Sequence, residues 1–336
     1  MVTIGVDAHK RTHTLVAVDE LGRELDRLTF EAITREHLRV VAWARKLGRE
    51  RCWAVEDCRH LSRRLERDLL GVGERIVRVP PKLMAQTRKG ARSYGKSDPI
   101  DALAVARAAQ REPGLPEARL DGAERELRLL VDHRDDLVRD RTRMLSRLRM
   151  HLHDLDPALE PRRRGLQSRA ALHRVQQQLV RFSSLVAEIA RDLISRCLEL
   201  TTAINSLERE LTRRIAMLAP TLLAIPGCGA ITAAKIVAET AYAPRFRSAA
   251  AYARHNGTAP LPASSGSERH RLSRIGNRQL NAALHQIAIT QTRIHPAAQT
   301  LLAAAIERGK TQREARRMLK RRLSDIVYHA LLADCT

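Results

Sequence analysis

Apolar and polar residues alternate along the first 30 residues with the two-residue period of β-strands. Three segments follow this pattern, VTIGV, THTLVAV and RELDRLTF, and DELG between the last two is typical of a turn. In the first segment the apolar side chains share one face, and the other face carries Thr3, Gly5 and Asp7. The pattern predicts an antiparallel meander with Asp7 at the carboxyl end of its first strand.

Helical and extended patterns alternate over the next 80 residues. The expected elements are a helix at about 34–47, a strand at 52–55 (CWAV), a helix at about 60–70, a strand at 74–79 and a helix from Pro99. Glu56 follows the end of the fourth strand. Open α/β sheets usually carry their sites at the carboxyl ends of strands, so Asp7 and Glu56 mark two candidate positions.

The pattern changes to long helices from about residue 113 to residue 215. Branched apolar residues recur there at seven-residue steps, at Val131, Val138, Leu145 and Leu152, and again at Leu172, Leu179, Val186, Leu193, Leu200 and Leu207. This predicts two long helices, split near 156–165, that form an antiparallel hairpin or a dimeric coiled coil. Shorter helices are expected afterwards, which gives three predicted domains, at 1–112, 113–215 and 216–336.

The charge of the chain indicates a polyanionic partner. Sixty Lys and Arg face 38 Asp and Glu, a net charge of +22, and nucleic acid is the default partner for such a surplus. The last 121 residues hold 17 basic and six acidic side chains, which is half of that surplus. Aromatic residues make up only 3% of the chain, which excludes a protein that holds single strands mainly by base stacking.

The spacing of the cysteines and the hydropathy of the chain indicate in which cellular compartment the protein is found. The five cysteines form neither CxxC pairs nor zinc-finger spacings, and no apolar run approaches the length of a membrane span. The first ten residues contain Asp7, His9 and Lys10, unlike a signal peptide. We therefore expect a soluble, cytoplasmic protein without structural zinc.

The stretch GKSDPIDALAVAR, residues 95–107, allows two interpretations. Asp98 could be the N-cap of a helix with Pro99 at N1 and Asp101 at N3, a carboxylate variant of the capping box. Alternatively, these two acids join Asp7 and Glu56 in the arrangement that an RNase-H-like nuclease uses. Four such carboxylates can hold two Mg²⁺ ions about 4 Å apart.

Two further stretches are candidates for phosphate chemistry. LLAIPGCGAITAAKIVAE, residues 222–239, fits a helix-hairpin-helix whose amides near Gly227 and Gly229 could bind a phosphate. In PASSGSERHRLSRIGNRQL, Ser264 and Ser265 precede a glycine and four cations, Arg269, Arg271, Arg274 and Arg278. A serine nucleophile needs an exposed hydroxyl and nearby cations, although serine-glycine loops are usually linkers.

The motifs GVDAHK, AVED, KSDPIDA, IPGCGAITAAKI, APLPASSG and RIGNRQLNAALH occur in this order over almost the whole chain. In this combination the sequence resembles the DEDD-type serine transposases of insertion-sequence family one hundred and ten, the bridge-RNA-guided DNA recombinases. The resemblance implies an α/β, RNase-H-like (RuvC-like) N-terminal domain, a coiled-coil dimerisation region and a mostly helical C-terminal transposase domain with a helix-hairpin-helix.

The resemblance also assigns roles to residues. The acids that would bind Mg²⁺ are Asp7, Glu56, Asp98 and Asp101, and the nucleophile would be Ser265, with Ser264 beside it. The serine would attack a DNA phosphate to form a phosphoserine intermediate. A structured guide RNA would pair with donor and target DNA, and homodimers would assemble into an active tetramer on the bacterial nucleoid.

Two other functions remain open from the residues alone. One is a metal-dependent, junction-resolving nuclease in which water is the nucleophile, so that no covalent intermediate forms. The other is a non-catalytic, basic, coiled-coil protein that binds nucleic acid, with its acids serving only as helix caps and polar strand ends.

Overall fold

The computed structural model describes residues 1–56, 59–80, 83, 97–112, 114–120, 122–159, 165–262, 270–272 and 276–335. The chain divides into two compact units, Met1–Asp121 and Gly122–Thr336. Within the described ranges, none of the helices combines the length and the apolar character that crossing a membrane requires.

The first unit is built on a five-stranded mixed sheet. Its strands are β1 (Val2–Ala8), β2 (Thr12–Val18), β3 (Glu24–Glu31), β4 (Arg51–Glu56) and β5 (Ile76–Val79). They lie in the order β3-β2-β1-β4-β5, with β1, β2 and β3 antiparallel and β4 and β5 parallel to β1. The predicted meander is confirmed, and the sheet is a mixed one within an α/β unit.

Helices cover both faces of this sheet. They are α1 (Thr34–Leu47), α2 (Arg59–Gly71) and α3 (Asp98–Arg111). The apolar face of β1, with Ile4 and Val6, packs in a core that contains residues of α1 and α2. The opposite face lies against α3, where Val16 and Val18 of β2 pack on Ala102 and Ala106. The alternation read from the sequence therefore places the side chains of β1 correctly, and Asp7 is on the α3 side.

Gly5 sets how closely α3 approaches β1. A Cβ atom added at Gly5 would lie 2.0 Å from the carbonyl oxygen of Ala102 and 2.6 Å from the amide nitrogen of Ala106. Both are backbone atoms, so no side-chain rotation could relieve the clash. The hydrogen in place of a side chain lets the helix lie directly on the strand, and the first turn of α3 reaches the carboxyl end of β1.

The second unit begins with long helices, α4 (Ala123–Leu155), α5 (Arg169–Gln178) and α6 (Leu185–Leu218). Arg134 bonds to Glu208 at 3.0 Å and Arg141 to Thr201 at 3.1 Å. The residue number of the partner on α6 falls as the residue number on α4 rises, so the two helices are antiparallel. The expectation of one continuous second helix was wrong, because Ser184 accepts a hydrogen bond from the amide of Ala187 and starts a new helix there.

Shorter helices and a small ribbon complete this unit. They are α7 (Pro220–Leu223), α8 (Ala230–Thr240), α9 (Ala249–His255), β6 (Pro260–Pro262), β7 (His270–Leu272), α10 (Arg278–Ile294), α11 (Pro296–Glu307) and α12 (Gln312–Ala333). One apolar core joins Leu127 of α4 and Leu211 of α6 to these elements. This core spans the domain boundary placed near residue 215, and that boundary stays a prediction.

Candidate metal centre

The sheet brings Asp7 and Glu56 to the same edge. Strands β1 and β4 are parallel, with Val6 opposite Val55, so the next residue of each strand lies at adjacent carboxyl ends. Asp7 is buried at 8% exposure, and Glu56, the last residue of β4, is half-buried. The two acids predicted to mark strand ends are therefore neighbours in the fold.

The start of α3 differs from the capping interpretation by one residue. Ser97 is the N-cap, because the amide of Asp101 donates to its carbonyl at 3.1 Å, and the Ser97 side chain makes no capping hydrogen bond. Asp98 is the first helical residue, followed by Pro99. The interpretation of Asp98 as the N-cap is therefore wrong, and its carboxylate instead contacts His9.

His9 lies between two of the predicted metal ligands. Its Nε2 atom is 3.1 Å from Oδ2 of Asp7 and 3.5 Å from Oδ1 of Asp98. One ligand atom from each of these three residues lies within 4.8 Å of the other two. Sequence reasoning missed His9 as a site residue. The available signal was its position two residues after Asp7, just beyond the end of β1.

Electrostatics at this edge reflect several acids in a small space. Burial is the largest cause that raises the pKa of Asp7, and the charges of Asp101 and Asp98 raise it further, whereas His9 opposes the change. Asp101 is itself buried at 8% exposure. A carboxyl group whose pKa is raised in this way is stabilised in its charged form when a cation binds beside it.

The geometry fits a divalent cation. Mg²⁺ prefers carboxylate oxygens at about 2.1 Å in octahedral geometry, which places two ligand atoms of one ion roughly 3.0 to 4.2 Å apart. The ligand atoms of Asp7, His9 and Asp98 lie within 4.8 Å of one another, and the two distances from His9, 3.1 and 3.5 Å, fall in this range. An imidazole nitrogen would additionally suit a transition metal.

The remaining predicted residues belong to the second unit. Ser264, Ser265, Arg269 and Arg274 lie outside the described residues. Arg271 is on β7, and Arg278 is the exposed first residue of α10. Their proposed roles stay predictions.

The predicted hairpin turn joins α7 and α8. Gly227 has a left-handed φ of 80°, and a Cβ atom there would lie 3.0 Å from Cβ of Thr290. Gln291 Nε2 donates to the carbonyl of Pro226 at 2.8 Å, so α10 holds this turn in place. Gly229 is the N-cap of α8, with open space where a side chain would be. The helix before the turn is only four residues long, and phosphate binding by the turn stays a prediction.

The amino-acid sequence of the chain is similar to those of transposases and of other proteins of insertion elements. Residues 4–157 match the DEDD transposase family of IS110, and residues 219–303 match the family described as "Transposase IS116/IS110/IS902 family". An uncharacterized 44.8 kDa protein of insertion element IS116 from Streptomyces clavuligerus is 30% identical over 99% of this chain and 95% of its own length. An uncharacterized 42 kDa protein of insertion element IS900 from Mycobacterium paratuberculosis is 25% identical over 99% and 96%.

A comparison of folds matches RuvC of T. thermophilus, solved in complex with a Holliday junction substrate. The match has 18% identity and a TM-score of 0.28, and it covers 35% of this chain and 99% of RuvC.

Proposed function

The chain belongs to the IS116/IS110/IS902 family of transposases, and from this premise we propose that it cuts and rejoins DNA with the help of Mg²⁺. Asp7, Glu56, Asp98 and Asp101 would hold the metal. One observation carries the proposal. Strand β1 and helix α3 bring Asp7 and Asp98, 91 residues apart in sequence, to within ligand distance of a common point.

The chain's own residues prepare this site. Asp7 and Glu56 are fixed on neighbouring strands, and Asp98 and Asp101 on one turn of a helix that packs tightly on Gly5, so the ligands lie on rigid elements. His9 keeps the carboxylates of Asp7 and Asp98 close together. The bound metal supplies charge neutralisation at the scissile phosphate and at the leaving oxygen.

For the nucleophile we propose Ser265, with Ser264 as the neighbouring alternative. The serine hydroxyl would lose its proton as its oxygen bonds to phosphorus. The bond from phosphorus to a sugar oxygen would break, and that oxygen would take up a proton and leave as a hydroxyl group. Rejoining reverses the step with a different sugar hydroxyl. Cations at Arg269, Arg271, Arg274 and Arg278 would offset the charge of the phosphorane.

Partners follow from the same resemblance. We propose that a structured guide RNA pairs with donor and target DNA and that homodimers combine into a tetramer. The net charge of +22 supports a nucleic-acid partner, and the 3% aromatic content supports recognition through the backbone and through base pairing rather than through stacking.

The test uses the protein purified with its retained RNA, supercoiled DNA that carries the element junction, and Mg²⁺. We expect a covalent protein–DNA complex with wild type, none with Ser265→Ala, and no cleavage with Asp7→Ala. Glu20→Gln is the matched control, because Glu20 is an exposed acid that pairs with the amino terminus.

Other outcomes of this test separate the alternatives. DNA that is cut without a covalent complex, by wild type and Ser265→Ala alike, would indicate a junction-resolving nuclease with a water nucleophile. Salt-sensitive binding without metal-dependent cleavage would indicate a non-catalytic binding protein.

A further inference from the structure

The second unit contains a cavity of about 320 Å³ with a strongly positive lining. Four of its lining side chains are cations of α12, and the rest of the wall includes His285 of α10 and Thr258 just before β6. The four cations are Arg313, Arg316, Arg317 and Lys320. We call this feature the cationic cavity.

Within the described ranges, these four cations lack the ion-pair partners that some other cations of the unit have. Arg321 on the same helix pairs with Asp325, and Lys235 pairs with Asp135 at 2.6 Å. Among the residues that the structure describes, no carboxylate lies within ion-pair distance of any of the four cavity cations. The Nε atom of Arg316 is buried and has no hydrogen-bond partner within the same ranges. Like charges three and four residues apart repel on a helix, so their clustering indicates an anionic ligand.

Lys320 is half-buried in the cavity wall. Its Nζ atom donates to Oδ1 of Asn281 at 2.6 Å, a neutral acceptor. Burial, followed by the charge of Arg317, lowers the pKa of Lys320 to about 8. A half-buried ammonium without a counter-ion is unfavourable, and an anion in the cavity would stabilise it.

A network of buried polar side chains fixes the cavity wall. Asn256 Nδ2 donates to Oγ of Ser324 at 2.8 Å, and Thr258 Oγ1 donates to Oδ1 of Asn256 at 2.7 Å. Asn281 Nδ2 donates to the carbonyl of Asn256 at 2.9 Å. Helices α10 and α12 thus hold residues 256–258 in place, and this part of the lining is preformed.

Both ends of the segment that contains Ser264 and Ser265 are anchored beside this wall. A Cβ atom at Gly276 would lie 2.4 Å from Cα of Gly257, so the two backbones touch. The amide of Asn277 donates to the carbonyl of His255 at 2.6 Å. The cationic cavity is therefore next to the base of the proposed serine segment.

We propose that the cationic cavity binds a backbone phosphate of a nucleic acid and so positions that strand beside the base of the serine segment. The inference rests on the proposed function for the identity of the polyanion. Arginine forks match phosphate oxygens in two-point hydrogen bonds. A volume of about 320 Å³ is at the low end of ligand sites, which suits one nucleotide-sized group. Binding of this kind fixes register without reading sequence.

A first experiment measures binding of labelled DNA duplex and of labelled RNA over a salt series, without Mg²⁺. The cavity variant Arg313→Gln/Arg316→Gln/Arg317→Gln is compared with a control that loses three exposed charges of the same unit, Arg293→Gln/Arg308→Gln/Arg322→Gln. Glutamine preserves helix propensity. We expect the cavity variant to bind about tenfold more weakly than the control, with a salt slope lower by roughly 0.9 for each lost phosphate contact. Equal losses in the two variants would overturn the proposal.

A second experiment uses the wild-type chain and needs no variant to fold. Lysines are modified with an amine-reactive reagent at pH 8, and mass spectrometry quantifies Lys320 against exposed Lys310. We expect nucleic acid to protect Lys320 at least fivefold more than Lys310. Protection by DNA alone or by RNA alone identifies the source of the phosphate. Equal modification with and without both nucleic acids, or protection only by inorganic phosphate, would refute the proposal. Neither experiment requires DNA cleavage. A negative result for phosphate binding in the cavity can therefore be distinguished from a failure of the proposed catalysis.

Discussion

Gly5→Ala is the substitution that best tests whether packing of α3 on β1 builds the metal centre. The new Cβ atom would lie 2.0 Å from the carbonyl oxygen of Ala102, and ordinary contact begins at 3.4 Å, so α3 must shift by about 1.4 Å. Overpacking of this kind typically costs about 1–3 kcal/mol of unfolding free energy. The same shift moves Asp98 and Asp101 away from Asp7. A misplacement of catalytic groups by about 1 Å can lower the rate of the catalysed reaction roughly 100-fold.

The assay has two readouts. Urea unfolding gives the change in unfolding free energy, and titration calorimetry with Mg²⁺ or Mn²⁺ gives the change in metal affinity. Gly71→Ala is the matched control, because Gly71 has open space at its Cβ position and an ordinary φ. We expect the control to keep wild-type metal affinity and to be at least as stable as wild type, because alanine at an ordinary φ restricts the unfolded chain. If Gly5→Ala kept wild-type stability within about 0.5 kcal/mol and wild-type metal affinity, the close approach of α3 to β1 would not support the site.

Three further predictions follow from the first unit. His9→Ala should weaken Mn²⁺ binding more than His9→Asn does in calorimetry, because Ala removes the contacts to Asp7 and Asp98; equal affinities would contradict a positioning role. Burial, followed by the charges of His37 and His9, lowers the pKa of His13 to about 4. As the pH falls, His13 is therefore protonated in the unfolded chain before it is protonated in the folded chain. The free energy of unfolding should fall by up to roughly 3 kcal/mol from pH 6.5 to 4. Urea titrations of His13→Leu should lack this contribution to the pH dependence. Chelation by EDTA should abolish DNA cleavage and leave salt-dependent DNA binding within about twofold; cleavage that persists in EDTA would argue against the metal centre.

Local sequence patterns predicted much of the structure of the first unit. The two-residue alternation in VTIGVD depends only on the geometry of one strand, and it placed Asp7 on the correct face. The end of CWAV likewise located Glu56. Neither pattern could reveal that Gly5 touches Ala102, since that contact joins residues almost 100 positions apart.

Errors arose where neighbouring residues have similar propensities. Ser97 and Asp98 are both good N-caps, and the choice between them depends on which carbonyl the amide of Asp101 reaches. The seven-residue spacing from Leu172 onward continues through a helix break, because apolar spacing does not register the capping bond at Ser184. The enclosure of the cationic cavity could not be predicted, because residues 257, 258 and 285 of its lining are distant in sequence from its four cations.

The two interpretations of the KSDPIDA stretch make different demands on Asp98. A capping carboxylate would accept from backbone amides of the first helical turn, whereas here the amide of Asp101 is bonded to Ser97 and Asp98 reaches His9. A purely structural role also leaves the burial of Asp7 near two other carboxylates unexplained, because this arrangement raises the pKa of Asp7 and disfavours its charged form. A divalent cation accounts for both features. It would offset the repulsion among the carboxylates around Asp7, and it would bind the carboxylate of Asp98, which does not cap the helix. The position of Asp98 therefore favours the metal centre over the helix cap.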